Sequence, residues 1–305
     1  MTADASAAAR SRRPEQVPCH GARIRFINGR AILGQRMPTP PGWLAPLASA
    51  VSPGTELRHL EATRYGTPRF AGYMTIAQRA GELVLAAAPH GAAIPEANAG
   101  LLVVSVNLGV ERLTAARFAL IASAGLDLLP SGALSGEILL VGSGPVALGC
   151  ALELYRRGAN QIRVLTHRSA SAIAQVPGVE IVQRAQPAWC VIDAAGRLND
   201  AISATCDGGV LGLLATPSPS ATVSALAAHR SGLSVVGMHE LVGYDHQIYN
   251  QRLTAIATWL ADAIPSEHLR SWCRRVPEDQ AVQLYDLLPG PARPAEPFLI
   301  LDWGA

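Results

Sequence analysis

A glycine-rich turn is the clearest sign of chemistry in the sequence. The segment GSGPVA, residues 142–147, follows an apolar run and opens a helix-like run. Gly142 would permit a tight turn, and Gly144 would let the backbone approach a diphosphate. Pro145 and Val146 would begin a helix whose unpaired N–H groups and positive dipole end favour an anion. The turn therefore predicts a dinucleotide site; the alternative is a similar fold that has lost its ligand.

The end of the next apolar segment indicates which dinucleotide would bind. Enzymes that use NAD usually place Asp or Glu there to bind the ribose 2′-hydroxyl. This sequence has Thr166, His167 and Arg168 instead, with no acid. An arginine can pair with a 2′-phosphate through charge-assisted hydrogen bonds. We therefore predict NADP(H) in preference to NAD(H). The alternative is a surface arginine beside an NAD site.

The segments around the turn predict the element order of a doubly wound α/β fold. Apolar segments alternate with helix-like ones from residue 136 onward, which is typical of a parallel sheet. In the fourth strand, Asp193 is predicted to have a structural role, and Ala195 and Gly196 after it are predicted to pass close to the cofactor. The six predicted strands are 137–142, 162–167, 179–183, 189–196, 209–215 and 233–239.

The segment before the turn has a different character. Residues 17–110 contain short apolar runs separated by Gly and Pro, which predicts a β-rich barrel or sandwich domain. A helical pattern begins near residue 114, and we place the domain boundary close to residue 125. Residues 1–16 are rich in Ala, Ser and Arg and are predicted to be a disordered tail.

Composition excludes several function classes. The chain has 305 residues, 16% charged, with a formal net charge of +2, which gives no reason to expect nucleic acid or an anionic membrane as partner. It contains no lysine, so a Walker P-loop and Schiff-base chemistry are impossible. Five scattered cysteines without a C-x-x-C pair predict reduced thiols and a cytoplasmic location.

The order of these parts resembles the medium-chain dehydrogenase/reductase superfamily. The motifs that carry the resemblance are "LLVGSGPVALG", "VIDAAG" and the closing "LILDW", over about residues 20–304. "SPGTELRHL" and the short length look most like the compact branch without zinc that includes the bacteriochlorophyllide dehydrogenases. The resemblance implies a GroES-like catalytic domain over residues 17–124 and 266–305, with a Rossmann domain over 125–265. It also implies a homodimer formed through the segment "LSVVGMH".

The sequence departs from the zinc-binding members of that superfamily. Where they have a Cys, a His and a Glu, this chain has Pro53, Tyr73 and Met74, and "LIASAG" supplies no third ligand. None of these side chains is a good ligand for Zn²⁺. We therefore predict no zinc.

Without a metal, side chains must stabilise the reacting oxygen. Thr55 aligns with the hydroxyl residue that relays a proton in the zinc enzymes, and the Tyr73 phenol could donate a hydrogen bond or a proton. Both are candidate catalytic residues. The alternatives are that Thr55 only caps a turn and that Tyr73 only fills the space left by the missing metal. We expect Glu56 to pair with an arginine such as Arg58.

Two histidines, His90 and His239, fall near segments that can line the cleft in the superfamily, and we treat both as weaker candidates than the two hydroxyls.

Three functions fit these residues. The first is reduction of a C=O, C=N or activated C=C group in a small organic or biosynthetic intermediate, with NADP(H) and without zinc. The second is oxidation of a secondary alcohol. The third is an inactive dinucleotide-binding scaffold or sensor.

Overall fold

The computed structural model describes residues 19–98, 100–104, 108–167 and 172–304. Two predictions fall outside these residues: the disordered tail over 1–16 and the role of Arg168 in the cofactor site.

A six-stranded parallel sheet forms the second half of the chain. Its strand order is β12-β11-β10-β13-β14-β15, the order of a Rossmann fold, which confirms the prediction of a doubly wound sheet. β10 is fully buried on both faces, as expected for the central strand of a sheet covered by helices. The strands are β10 Ile138–Val141, β11 Ile162–Leu165, β12 Val179–Val182, β13 Ala188–Asp193, β14 Thr205–Leu213 and β15 Ser234–Gly237.

Helices connect and cover these strands. α2 is almost entirely buried and packs on both α3 and α6, so it belongs to the interior of the molecule. The contact with α3 is close because Gly149 lies against α2: a Cβ there would come within 2.4 Å of the Phe118 carbonyl carbon. The helices are α2 Val110–Leu126, α3 Pro145–Arg156, α4 Leu198–Ser203, α5 Ala225–Ser231, α6 His246–Ala263 and α7 Ser266–Trp272.

A second six-stranded sheet combines both ends of the chain. Its order is β16-β17-β4-β6-β7-β9. β17 is parallel to β16 and antiparallel to β4, so a strand from the C-terminal segment completes a sheet built from residues before 105. The strands are β4 Pro46–Val51, β6 Thr75–Arg79, β7 Glu82–Ala86, β9 Leu102–Val104, β16 Cys273–Pro277 and β17 Phe298–Asp302.

Smaller elements surround this mixed sheet. β1 (Ile24–Ile27) pairs with β2 (Arg30–Leu33) and β5 (Arg69–Phe70), and β3 (Trp43–Leu44) pairs with β8 (Ile94–Pro95).

Two helices also lie here: α1 (Pro53–Ala62) and α8 (Ala281–Leu287), which follows a short 3-10 turn. The sequence patterns predict α8 but not α1. Pro53 occupies the first helical position of α1, where its ring fixes φ. The N–H group that proline lacks would have had no hydrogen-bond partner within the helix.

One hydrophobic core joins the two sheets. It includes the inner face of the mixed sheet, α2, α3, α6 and one face of the parallel sheet. Phe118 of α2 and Phe298 of β17 stack within it, with ring centroids 5.5 Å apart. A separate cluster, with Phe26 and Tyr285, fills the space between the small sheet and α8. Among the described residues, no helix is long and apolar enough to cross a membrane.

Candidate functional site

A cavity of about 540 Å³ lies where the parallel sheet faces α1 and the loop before β6. The carboxyl ends of the strands border it, which is the place where open α/β sheets bind ligands. From the parallel-sheet half of the chain it is lined by residues 142–146, 166–167, 194–195, 197, 214–216 and 238–241. From the other half it is lined by residues 52, 54–55, 58, 73 and 293, with Ile121 of α2 between them.

The glycine turn forms one wall of the cavity. Gly142 has φ +111°, and a Cβ there would come within 2.7 Å of the Ala195 Cβ. Gly144 faces open space, with no atom within 4 Å of an added Cβ. Gly144 caps α3 without a side-chain hydrogen bond, and Pro145 takes the first helical position. The turn thus presents its backbone and the start of a 12-residue helix to the cavity, as a diphosphate requires.

The end of β11 closes the cavity beside this turn. The Thr166 and Ser143 hydroxyl oxygens are 2.8 Å apart. His167 lies next in the lining, and its Nε2 is 3.1 Å from Nη2 of Arg197. Arg197 follows β13, and its Nε also pairs with Asp200 at 2.5 Å. A guanidinium therefore reaches the end of β11, where enzymes of this fold that use NAD usually carry an acidic residue.

The loop after β13 is held by its own aspartate. Asp193 Oδ1 accepts hydrogen bonds from the backbone N–H groups of Ala195 and Arg197, both at 3.0 Å. Ala195 lines the cavity, whereas Gly196, with φ +71°, does not. Asp193 thus fixes the loop that carries Arg197.

The two candidate hydroxyls lie on the opposite wall. Thr55 is in the first turn of α1 and half-buried, and Tyr73 precedes β6 and is also half-buried. Both line the same cavity as the glycine turn. Burial raises the pKa of the Tyr73 phenol; the neighbouring Ser52 side chain and Arg117 act in the opposite direction. The phenol is therefore protonated at neutral pH and can donate a hydrogen bond, although the raised pKa makes it a weaker acid.

The side chains at the zinc-ligand positions of the resemblance do not form a metal site. Pro53 is the buried first residue of α1, and Met74 is fully buried in the core. Within the described ranges, no three His, Cys, Asp or Glu side chains are grouped so that they could hold a metal ion. The donor set present here does not fit catalytic zinc.

The structure corrects two predictions about polar residues. Glu56 does not pair with Arg58: its side chain is fully buried and contacts His90 and Tyr285. Arg58 instead donates to the Thr216 carbonyl across the cavity. His90 is fully buried and is absent from the lining. The prediction failed because α1 was not expected, and helix geometry turns residues 56 and 58 to different sides.

His239 does line the cavity, and its Nδ1 accepts a hydrogen bond of 3.2 Å from the Leu241 N–H.

An ion pair that the sequence did not reveal supports the cavity near Tyr73. Arg117 of α2 and Glu240, which follows β15, form two hydrogen bonds of 2.6 and 2.9 Å. The Tyr249 hydroxyl also donates to Glu240. Burial lowers the pKa of Arg117, but Glu240, Tyr249 and Tyr73 together outweigh burial, so the pKa is raised. Burial raises the pKa of Glu240, but Arg117, with Tyr249 and His239, outweighs it, so the pKa is lowered.

The solved structures that share this fold include dehydrogenases and a reductase. The chain matches an alcohol dehydrogenase from Thermotoga maritima with a TM-score of 0.67 and 12% identity, covering 92% of this chain and 98% of that one. It matches acetophenone reductase from Geotrichum candidum in complex with NAD with a TM-score of 0.69 and 13% identity, covering 94% and 98%. A putative zinc-binding dehydrogenase from Sinorhizobium meliloti bound to NADP gives 0.65 and 16%, covering 92% and 99%.

These likenesses establish the fold: a GroES-like domain with a Rossmann domain, as in medium-chain dehydrogenases and reductases. They confirm the fold class predicted from the sequence. No protein-family model matches the chain. No curated protein matches it in sequence.

Proposed function

We propose that the chain is an oxidoreductase that binds a nicotinamide dinucleotide and reduces a C=O, C=N or activated C=C group without zinc. The supporting observation is that one cavity is bordered by both the glycine turn and the two hydroxyls, Thr55 and Tyr73. In this proposal, residues 125–265 bind the cofactor, and residues 17–124 with 266–305 supply the hydroxyls. A likeness in fold alone would not carry the proposal, because one fold serves many functions.

In the proposed reaction, the wall with the glycine turn binds the cofactor and the opposite wall supplies a proton. A bound nicotinamide would supply a hydride, which takes its electron pair to the carbon of the C=O bond. The carbonyl oxygen then needs one proton, and Tyr73 or Thr55 lies on the wall that can give it. Tyr73 is the stronger candidate because a phenol is a stronger acid than the aliphatic hydroxyl of Thr55, although burial raises the Tyr73 pKa. Solvent then returns the proton to the phenol.

Zinc has no role in this proposal. The positions that hold zinc in related enzymes carry a buried proline, a tyrosine and a core methionine. These side chains cannot together bind a zinc ion, so no metal acts as a Lewis acid in this proposal. A hydrogen-bond donor aimed at the developing oxyanion can replace that function.

We further propose that the preferred cofactor is NADP(H). Arg197 supports this because its guanidinium reaches His167 at the end of β11. Arg168, predicted from the sequence to bind the 2′-phosphate, adjoins this position in the chain. Arg197 was missed because it lies 29 residues further along and the loop after β13 brings it back.

Replacing Arg197 with glutamine should weaken the binding of NADPH while leaving NADH almost unchanged. A hydrogen bond to a charged group contributes about 1.5–3 kcal/mol, so the Kd for NADPH should rise about tenfold to a hundredfold. Calorimetry at one fixed salt concentration measures both constants. R230Q, which removes an exposed arginine of α5, is the matched control. Equal losses for both cofactors in R197Q, or no NADPH preference in the wild type, would contradict the assignment.

The glycine turn gives the most direct test of dinucleotide binding. Gly144→Ala should fold normally, because an added Cβ meets no atom, but that Cβ enters the space proposed for the diphosphate. We expect the Kd for NADPH to rise at least about tenfold, a loss of about 1.4 kcal/mol. Gly136→Ala also adds a Cβ in open space, but outside the cavity, and should change nothing.

The same proteins test the reaction itself. Wild type and G136A should oxidise NADPH with at least one of benzaldehyde, acetophenone and cyclohexenone, and G144A should be much slower. A wild type that binds NADPH but reduces none of the probes and oxidises secondary alcohols instead would favour the reverse reaction. Binding of neither cofactor would overturn the proposal.

We also propose that the protein forms a homodimer. β15 ends the parallel sheet, and its Val235 side chain is exposed. A second copy pairing along this edge would extend the sheet and cover that side chain.

A further inference from the structure

Three titratable side chains form a buried cluster behind the cavity wall. Glu56 and His90 are completely buried, and Tyr285 is almost so. Glu56 Oε2 accepts a hydrogen bond of 2.6 Å from the Tyr285 hydroxyl and lies 2.9 Å from His90 Nε2. The members come from α1, from the segment after β7 and from α8. Burying such groups together is costly unless each has a partner, and here they are partners of one another.

The cluster is directly joined to the backbone that carries Thr55. Glu56 is the next residue in α1, and its other oxygen, Oε1, accepts a hydrogen bond of 2.7 Å from the Ser52 N–H. Ser52 and Thr55 both line the cavity, whereas Glu56 faces away from it. One carboxylate therefore fixes the first turn of α1 from behind.

The cluster is also joined to the segment that carries Tyr73. His90 donates its backbone N–H to the Ala71 carbonyl at 2.9 Å. The His90 ring packs against Gly72, because a Cβ added to Gly72 would lie 2.5 Å from the atoms of that ring. Gly72 also has φ +83°. Tyr73 is the next residue. The ring and backbone of His90 thus set the path of the chain into Tyr73.

We propose that the Glu56–His90–Tyr285 cluster positions Thr55 and Tyr73 for proton transfer, an inference that rests on the proposed function. None of the three lines the cavity, so they act through the residues they hold. Both wall segments depend on one buried set of hydrogen bonds, and a shift of about 1 Å at such a site can reduce turnover about a hundredfold.

The charge of Glu56 acts on the pKa of Tyr73, and this pKa is a quantity that a purely structural role of Glu56 would not change. The charged groups that act on the Tyr73 pKa are Glu56 of α1, Arg117 of α2 and Glu240 after β15, and Arg58 of α1 also interacts with the phenol. Burial is the largest cause of the raised Tyr73 pKa, and the Glu56 charge adds a smaller contribution in the same direction. The other groups that interact with Glu56 are Tyr285, His90 and His59. Removing its charge should therefore lower the Tyr73 pKa.

The decisive variant is Glu56→Gln, which keeps the shape and removes the charge. We expect kcat for NADPH-dependent reduction of benzaldehyde or another active probe to fall about tenfold to a hundredfold. The KM and the Kd for NADPH should stay within about twofold. The alkaline limit of kcat should move to lower pH, since a Tyr73 phenol with a lower pKa loses its proton earlier. Glu153→Gln, another fully buried glutamate, should change neither kcat nor the pH limit.

Tyr285→Phe separates position from charge and serves if E56Q does not fold. It removes one hydrogen bond to Glu56 but keeps the carboxylate, so kcat should fall while the alkaline limit stays. Tyrosine ¹³C NMR, with the Tyr73 signal assigned by Y73F, follows the same ionisation without any substrate. An unchanged kcat and Tyr73 titration in E56Q, or equal effects in E153Q, would overturn the inference. A wild type without turnover, with the Tyr73 titration still moved by E56Q, would instead overturn the proposed function.

Discussion

Tyr73→Phe should reduce kcat for NADPH-dependent reduction by a factor of about 10²–10⁴, the range that a well-placed general acid contributes. The change removes one hydroxyl from the cavity wall and leaves the ring in place. The Kd for NADPH and the KM should change little, because only the step that protonates the oxygen depends on the phenol. Stopped-flow measurement of NADPH oxidation, with a chelator present, checks this.

The control and the competing assignment need separate variants. Tyr155→Phe removes a hydroxyl from α3, where the ring packs against Trp259 outside the cavity, and should leave kcat unchanged. Thr55→Val tests the other hydroxyl. A larger loss in T55V than in Y73F would make Thr55 the proton donor. Full turnover in both variants would show that the proton comes from solvent, and neither residue would then be a catalytic residue.

Arg117→Met should produce the largest loss of stability. It leaves the Glu240 carboxylate buried beside Tyr249 without its cation, and breaking such a pair costs about 3–5 kcal/mol. Chemical denaturation measures the free energy of unfolding. Arg270→Met, at an exposed position of α7, should stay within about 0.5 kcal/mol of wild type.

A double variant and the pH dependence identify the cause. Arg117→Met with Glu240→Leu should recover much of the loss, because no charge is then left unpaired. The lowered pKa of Glu240 means that the pair stabilises the wild type fully above the ordinary glutamate pKa of 4.5. This contribution is lost as the pH falls through the lowered pKa. A loss in R117M that the double variant does not reduce would show that packing, not charge, is responsible.

The sequence predicts the parallel sheet well because its signals are local. Each predicted strand is a short apolar run with Gly, Asn or Asp near one end, and the turn at Gly142 and Gly144 has requirements that few other residues meet. All six predicted strands are present and pair in one sheet. The turn also reveals the cavity, since ligands bind at that end of the strands.

The wall opposite the turn is less visible in the sequence. α1 is short and mostly polar, so the sequence does not predict it and indicates a nearby arginine as the partner of Glu56. Its actual partners, His90 and Tyr285, are 34 and 229 residues away. Arg117 and Glu240 are likewise separated by 123 residues. Such pairs depend on tertiary contacts, and no local pattern in a single sequence indicates them.

The position of β17 has a consequence for how the chain is made. This strand lies between β16 and β4, so β4 cannot pair with one of its two neighbours until Phe298–Asp302 has been synthesised. The parallel sheet, in contrast, comes from one continuous stretch, Ile138–Gly237, and can form earlier during synthesis. Strands β4, β6, β7 and β9 must therefore wait with an open sheet edge until β17, about 200 residues further along the chain than β9, pairs with β4.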